Sequence, residues 1–132
     1  MKPKSKQISS KIYGRELILD LHNCDADTFN RKDIKRYFIE LCELIDMERC
    51  KLSWFDDHGV HPDEQQTEPH LKGTTAVQFI MTSNIVIHTL DLLGAVYVNI
   101  FSCKDFDPEV ASDFTANWFK GKIVNSHVID RI

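Results

Sequence analysis

The sequence predicts an α+β two-layer sandwich, a mostly antiparallel sheet with helices on one face, in the order β-α-β-β-β-α-β. Three observations carry this. Residues 75–103 hold three β-rich runs separated only by short breaks, which reads as an antiparallel meander. Two stretches with helical spacing of apolar residues lie on either side of the meander, each opened by an N-terminal capping signal. A strand-like run stands before and after each of them.

In residues 13–22, Leu17, Leu19 and Leu21 alternate with Glu16, Ile18 and Asp20, the period of two expected of a strand. Asn23-Cys24-Asp25-Ala26-Asp27 breaks it. Asn30 can cap a helix whose positive end Asp33 favours. Ile34, Phe38, Leu41 and Ile45 then recur at helical spacing, predicting an amphipathic helix over 31–47 with its stripe on the sheet. A short strand follows over 49–55. Residues 56–73 are polar and contain Gly59, Pro62 and Pro69, predicting a long loop of the kind that is functional or mobile. The meander comprises runs 75–81, 85–90 and 95–103. Asp107-Pro108-Glu109 is a helix start: an aspartate cap, proline at the first position and an acid beside it. Val110, Phe114 and Trp118 mark the expected buried face, and Gly121 stands where a C-terminal stop belongs. A last strand over 123–129 completes the order.

A length of 132 residues is one domain, 1–132, large enough to bury a core without disulfide staples. Hydrophobic residues at 42% and charged residues at 27% are those of an ordinary globular protein. The net charge of −4 offers nothing to nucleic acid. Lys2, Lys4, Lys6 and Lys11 read as a solvated, flexible tail over 1–12. No run of apolar residues is long enough to span a membrane, and the start lacks the apolar core of a secretory signal. Cys24, Cys42, Cys50 and Cys103 are therefore expected as thiols, and the cytoplasm as the location. Asp56, Asp57, His58, His61, Asp63, Glu64 and His70 are competent metal ligands by type, but their spacing matches no closed motif. A solvated loop is the better account, and no metal is expected. There is no glycine-rich phosphate loop and no Ser-His-Asp motif.

The chemistry-bearing stretch is Thr82-Ser83-Asn84-Ile85-Val86-Ile87-His88-Thr89, followed fifteen residues after His88 by Cys103. Taken singly, Ser83 is a turn residue, His88 a core histidine and Cys103 a small buried hydrophobe. Their joint spacing, with the opening Gly14-Arg15-Glu16-Leu17-Ile18-Leu19-Asp20-Leu21-His22-Asn23-Cys24-Asp25 and the Asp107-Pro108 helix start, resembles the prokaryotic S-adenosylmethionine decarboxylase proenzymes. The resemblance spans most of residues 13–119.

That resemblance implies a pyruvoyl-dependent carboxy-lyase that cuts its own backbone between Thr82 and Ser83. Ser83 becomes the pyruvoyl cofactor, giving chains 1–82 and 83–132. It implies that Ser83 attacks the Thr82 carbonyl, that Thr75 supplies a hydroxyl to the tetrahedral intermediate, and that His88 takes the α-proton of the former serine. Cys103 is implied as the acid that returns a proton to the substrate. The substrate amine would form a Schiff base with the pyruvoyl ketone, which acts as electron sink. The implied product is the decarboxylated aminopropyl donor of spermidine synthesis, and the implied assembly a homodimer with its sites near the shared interface. Three positions depart from the family pattern. Thr82 replaces a glutamate, Asn84 a histidine, and Leu90-Asp91-Leu92-Leu93 stands where Trp-Pro-Glu-Tyr is usual, so that Leu92 replaces the glutamate that holds the ribose. The loop 56–73 is also longer than usual. Two alternatives follow: a pyruvoyl decarboxylase of arginine or ornithine, or an unprocessed, inactive homologue that acts as a binding partner.

Overall fold

The computed structural model describes residues 11–132; of the expected tail, residues 1–10 lie outside them. The elements are β1 (Gly14–His22), α1 (Arg31–Leu44), β2 (Arg49–Phe55), β3 (Gly73–Ile80), β4 (Ser83–Leu90), β5 (Ala95–Ser102), α2 (Pro108–Phe119) and β6 (Lys122–Arg131). The six strands form one sheet in the order β2-β3-β4-β5-β1-β6. Every pairing in it is antiparallel. The predicted α+β sandwich is what the chain adopts.

Strand register builds the core. Leu17, Leu19 and Leu21 of β1 stand opposite Ile100, Val98 and Val96 of β5, which in turn face Ile85, Ile87 and Thr89 of β4. All of these are buried. Because strand side chains alternate, they share one face of the sheet. There they join Ile34, Tyr37, Phe38, Leu41 and Cys42 of α1, and Ala111 and Phe119 of α2, in a single apolar cluster.

Local chemistry sets the helix ends. Asn30 caps α1 by accepting from the Asp33 N–H at 2.8 Å, and Asp107 caps α2 by accepting from Glu109 and Val110. α1 stops at Leu44, short of the expected 47, because Asp46 turns left-handed at φ 58°. Met47 N–H then closes back on the Cys42 carbonyl at 2.8 Å, and the last carbonyls are satisfied. At the end of α2 it is Lys120, not Gly121, that takes the left-handed position. Gly121 is needed for a different reason, since a Cβ there would run into Cys24 Sγ.

The buried stripe of α2 is Ala111, Thr115 and Phe119, one residue round from the expected Val110, Phe114 and Trp118. The small Ala111 and Thr115 let the helix sit close, and Thr115 is buried at no polar cost. Its hydroxyl donates to the Ala111 carbonyl at 2.8 Å and meets the Tyr37 hydroxyl at 2.7 Å. Phe114 and Trp118 instead pack half-buried against the Tyr37 ring. Burial pushes the Tyr37 phenol far above its usual range. Tyr37→Phe is expected to lower unfolding free energy by about 1 kcal/mol in urea titration; an unchanged midpoint would show that the buried pair contributes nothing. No helix among the described residues is long and apolar enough to cross a membrane.

Candidate functional site

β3 and β4 form a tight hairpin in which Ile80 pairs with Ser83, leaving Met81 and Thr82 as the turn. Thr82 has φ 52°, a left-handed conformation that a β-branched side chain rarely takes. Backbone in that region stores strain of about 1–3 kcal/mol. The Thr82 hydroxyl donates to the Met81 carbonyl at 2.8 Å and lies 3.1 Å from Cys103 Sγ. Ser83 opens β4 and is only 8% exposed. Its Oγ accepts the Cys103 N–H at 3.0 Å.

Cys103 is thus placed against both residues that flank the expected cleavage bond. Its thiol is held below the usual range, chiefly by the Thr82 hydroxyl, with further help from the Ser83 and Tyr13 hydroxyls and against the effect of burial. In the sequence Tyr13 carries no signal beyond opening the strand-like run 13–22. The β1–β5 register brings it here, since Arg15 pairs with Ser102, and its ring stacks on Phe101. The two helix-side thiols differ sharply: burial pushes both Cys24 and Cys42 up to about 11. A cavity of about 450 Å³ adjoins Cys103, walled by Met47, Ile80, Met81, Thr82 and Ser102 among others.

Thr75 and His88 form a second, separate pair. They stand opposite one another in the β3–β4 register, with Thr75 Oγ1 and His88 Nδ1 hydrogen-bonded at 2.9 Å. A cavity of about 210 Å³ beside them is lined by Phe55, Asp56, Asp57, Gln66, His70 and Leu71 among others. The Thr89 hydroxyl in its wall is buried without a protein partner. The loop over it is more ordered than a solvated loop. Asp56 takes a two-point ion pair from Arg31 at 2.7 and 2.8 Å, which holds its carboxyl below the usual range. Asp57 pairs with Lys72 at 3.0 Å, and Lys72 offers its carbonyl to the Asp91 N–H. Asp56 and Asp57 are therefore engaged with cations of the chain itself. Leu92 is 61% exposed on the β4–β5 turn and carries no polar atom. The neighbouring Asp91 turns one carboxylate oxygen inward without a partner, and burial raises its pKa.

The structure brings Ser83, Thr82 and Cys103 together, and Thr75 and His88 together, but not the two groups. Five steps along the strand separate Ser83 from His88, roughly 17 Å at about 3.4 Å per residue. Their odd spacing also points them to opposite sides of β4, Ser83 with the buried Ile85 and Ile87, His88 with Asn84 and Val86. Within one chain, His88 does not reach the α-carbon of Ser83.

Thr75 and His88 give onto the sheet face that the helices leave uncovered, and Cys103, two residues beyond the half-buried Phe101, lies at the other end of that face. That face carries Ile18, Val77, Phe79, Val86, Tyr97 and Phe101, all at least partly exposed. Near its Cys103 end, Glu16 accepts from Asn99 at 3.0 Å and from Arg131 at 2.8 Å, and Arg131 lies over the Phe101 ring.

Comparison with known proteins identifies the family. A family model described as S-adenosylmethionine decarboxylase matches residues 15–132. The S-adenosylmethionine decarboxylase proenzyme of Archaeoglobus fulgidus is 28% identical over 121 residues, 91% of this chain and 98% of that one. The proenzyme of the same name from Bacillus velezensis is 28% identical over 105 residues, 79% of this chain and 74% of its own. In three dimensions the chain shares its fold with the adenosylmethionine decarboxylase of Aquifex aeolicus, at a TM-score of 0.70 and 22% identity, with 91% of each chain covered. Matched over nearly its whole length, this chain belongs to the S-adenosylmethionine decarboxylase family, lyases made as proenzymes whose pyruvoyl group forms from an internal serine.

Proposed function

We propose that this chain is a self-processing decarboxylase that removes the carboxyl group of S-adenosylmethionine, yielding the aminopropyl donor of spermidine synthesis. The observation that carries it is the hairpin turn at Thr82–Ser83, whose serine hydroxyl is fixed by Cys103 N–H and whose neighbour is the Cys103 thiol. These residues fit a pyruvoyl group at position 83: a serine to generate it, a donor on its oxygen and an acid beside it.

Ser83 Oγ adds to the Thr82 carbonyl carbon as its proton leaves. The Thr82 C–N bond then breaks as the nitrogen takes up a proton, leaving an ester. The Cys103 N–H stabilises charge on Ser83 Oγ as the hydroxyl proton departs. Loss of the residue 83 α-proton to a base expels the Thr82 carboxylate, and water then releases ammonia. Once formed, the pyruvoyl ketone supplies an electron sink conjugated with an amide. Cys103 Sγ holds the proton that goes to the substrate carbon once carbon dioxide has left.

The base is His88 of a second copy. Its own chain's Ser83 is out of reach, whereas a two-fold pairing of open sheet faces sets the Cys103 end of one copy against the His88 end of the other. Thr75 arrives with it, bound to His88 Nδ1, and orients the ring. The partly exposed apolar residues of that face suit burial against a copy of themselves. A cytoplasmic location accords with the cysteines, all of which are free thiols.

Intact mass under denaturing conditions tests the reading. Two species, residues 1–82 and a pyruvoyl-led 83–132, are expected, with carbon dioxide released from S-adenosylmethionine. A full-length mass that persists on incubation would overturn it.

A further inference from the structure

Cys103 grips both sides of the bond to be cut: its N–H holds Ser83 Oγ at 3.0 Å, and its sulfur lies 3.1 Å from the Thr82 hydroxyl. Between those contacts Thr82 sits at φ 52°. A β-branched residue relaxes from that conformation towards extended backbone, which would swing its carbonyl and open the turn. The hydroxyl opposes this, because it also donates to the Met81 carbonyl at 2.8 Å. Valine has the same shape as threonine and none of these ties.

We propose that the Thr82 side chain is a positioning residue for self-cleavage, its hydroxyl tying the strained turn to Cys103 so that the Thr82 carbonyl and the Ser83 hydroxyl stay together until the bond breaks. The inference rests on the self-processing reading above. Holding two reacting groups in register is worth orders of magnitude in rate. The tie is also temporary. Cleavage makes Thr82 a chain end and consumes the Ser83 hydroxyl, so Cys103 loses both contacts at once and its thiol is released to face substrate.

Wild type, Thr82→Val and Thr82→Ser are compared in two ways. Chain cleavage, followed by intact mass, is expected to slow by at least about tenfold in the valine variant and to stay within about twofold in the serine variant. The second measurement uses a Ser83→Ala background, which does not cleave. There the pH midpoint for alkylation of Cys103 is expected to rise with valine and not with serine, because the Thr82 hydroxyl can turn its one proton from the Met81 carbonyl to the thiolate and so holds the Cys103 pKa down. Equal cleavage rates in wild type and a folded Thr82→Val would overturn the tie while leaving self-processing intact. So would slowed cleavage with an unmoved midpoint, which is what a merely loosened turn gives. An uncut wild type would sink self-processing itself, and the alkylation midpoint would still decide the tie. Thr82→Ala replaces valine if the latter does not fold.

Discussion

Ser83→Ala is expected to abolish chain cleavage and decarboxylation together while leaving the fold standing. Without Oγ no ester forms, and without the ester no ketone arises to accept electrons, so turnover falls to the uncatalysed background, at least about a 10⁶-fold loss. The structural damage is small. Ser83 contributes one hydrogen bond at a hairpin end, to Cys103 N–H, and losing it costs about 1 kcal/mol. The measurement pairs intact mass and carbon dioxide release with a thermal melt. Decarboxylation surviving in a folded Ser83→Ala protein would remove the assignment of position 83.

The second large effect is a recovery. Ser83→Ala and His88→Ala are each expected to be inactive alone, yet active when co-expressed. In a mixed pair one site combines the Ser83 and Cys103 of one copy with the Thr75 and His88 of the other, all native, while the opposite site carries both substitutions. Random pairing makes half the dimers mixed, so about a quarter of the wild-type sites return. The roughly 17 Å of strand between Ser83 and His88 is the reason for proposing this division. Two folded variants that show no more activity together than apart would overturn the shared site.

Much of the fold was legible because its signals are local. The Leu17–Leu19–Leu21 alternation and the Asn30 and Asp107 caps each act within a few residues of themselves, and the strands and helix starts they predict are present. The stripe of α2 is not legible in the sequence, because the large side chains of Phe114 and Trp118 outweigh Ala111 and Thr115 in the apolar pattern. What decides the packing there is close approach and the Tyr37 partner for Thr115, neither visible in linear order. The order of loop 56–73 comes from Arg31 and Lys72, one of them 25 residues from its partner Asp56. The site divides in the same way. Which residues take part could be carried over from the family pattern, and the family itself is matched. Which of them meet within one chain depends on strand register: an odd interval along β4 separates Ser83 from His88 as surely as an even one would have stacked them on one face. Tyr13 lay outside any motif and entered the cluster only through its position across from the end of β5.

The strand order has a bearing on what self-cleavage does to the molecule. A cut between Thr82 and Ser83, as proposed, would fall between β3 and β4, so the first fragment would keep β1, β2 and β3 and the second β4, β5 and β6. In the sheet, however, β1 is inserted between β5 and β6. The two polypeptides are interleaved like the fingers of two hands, joined along three ladders: β3 to β4, β5 to β1 and β1 to β6. Severing the hairpin removes a covalent link and no ladder. A chain cut at that turn would therefore remain one cooperative body, because its two halves are not separable lobes.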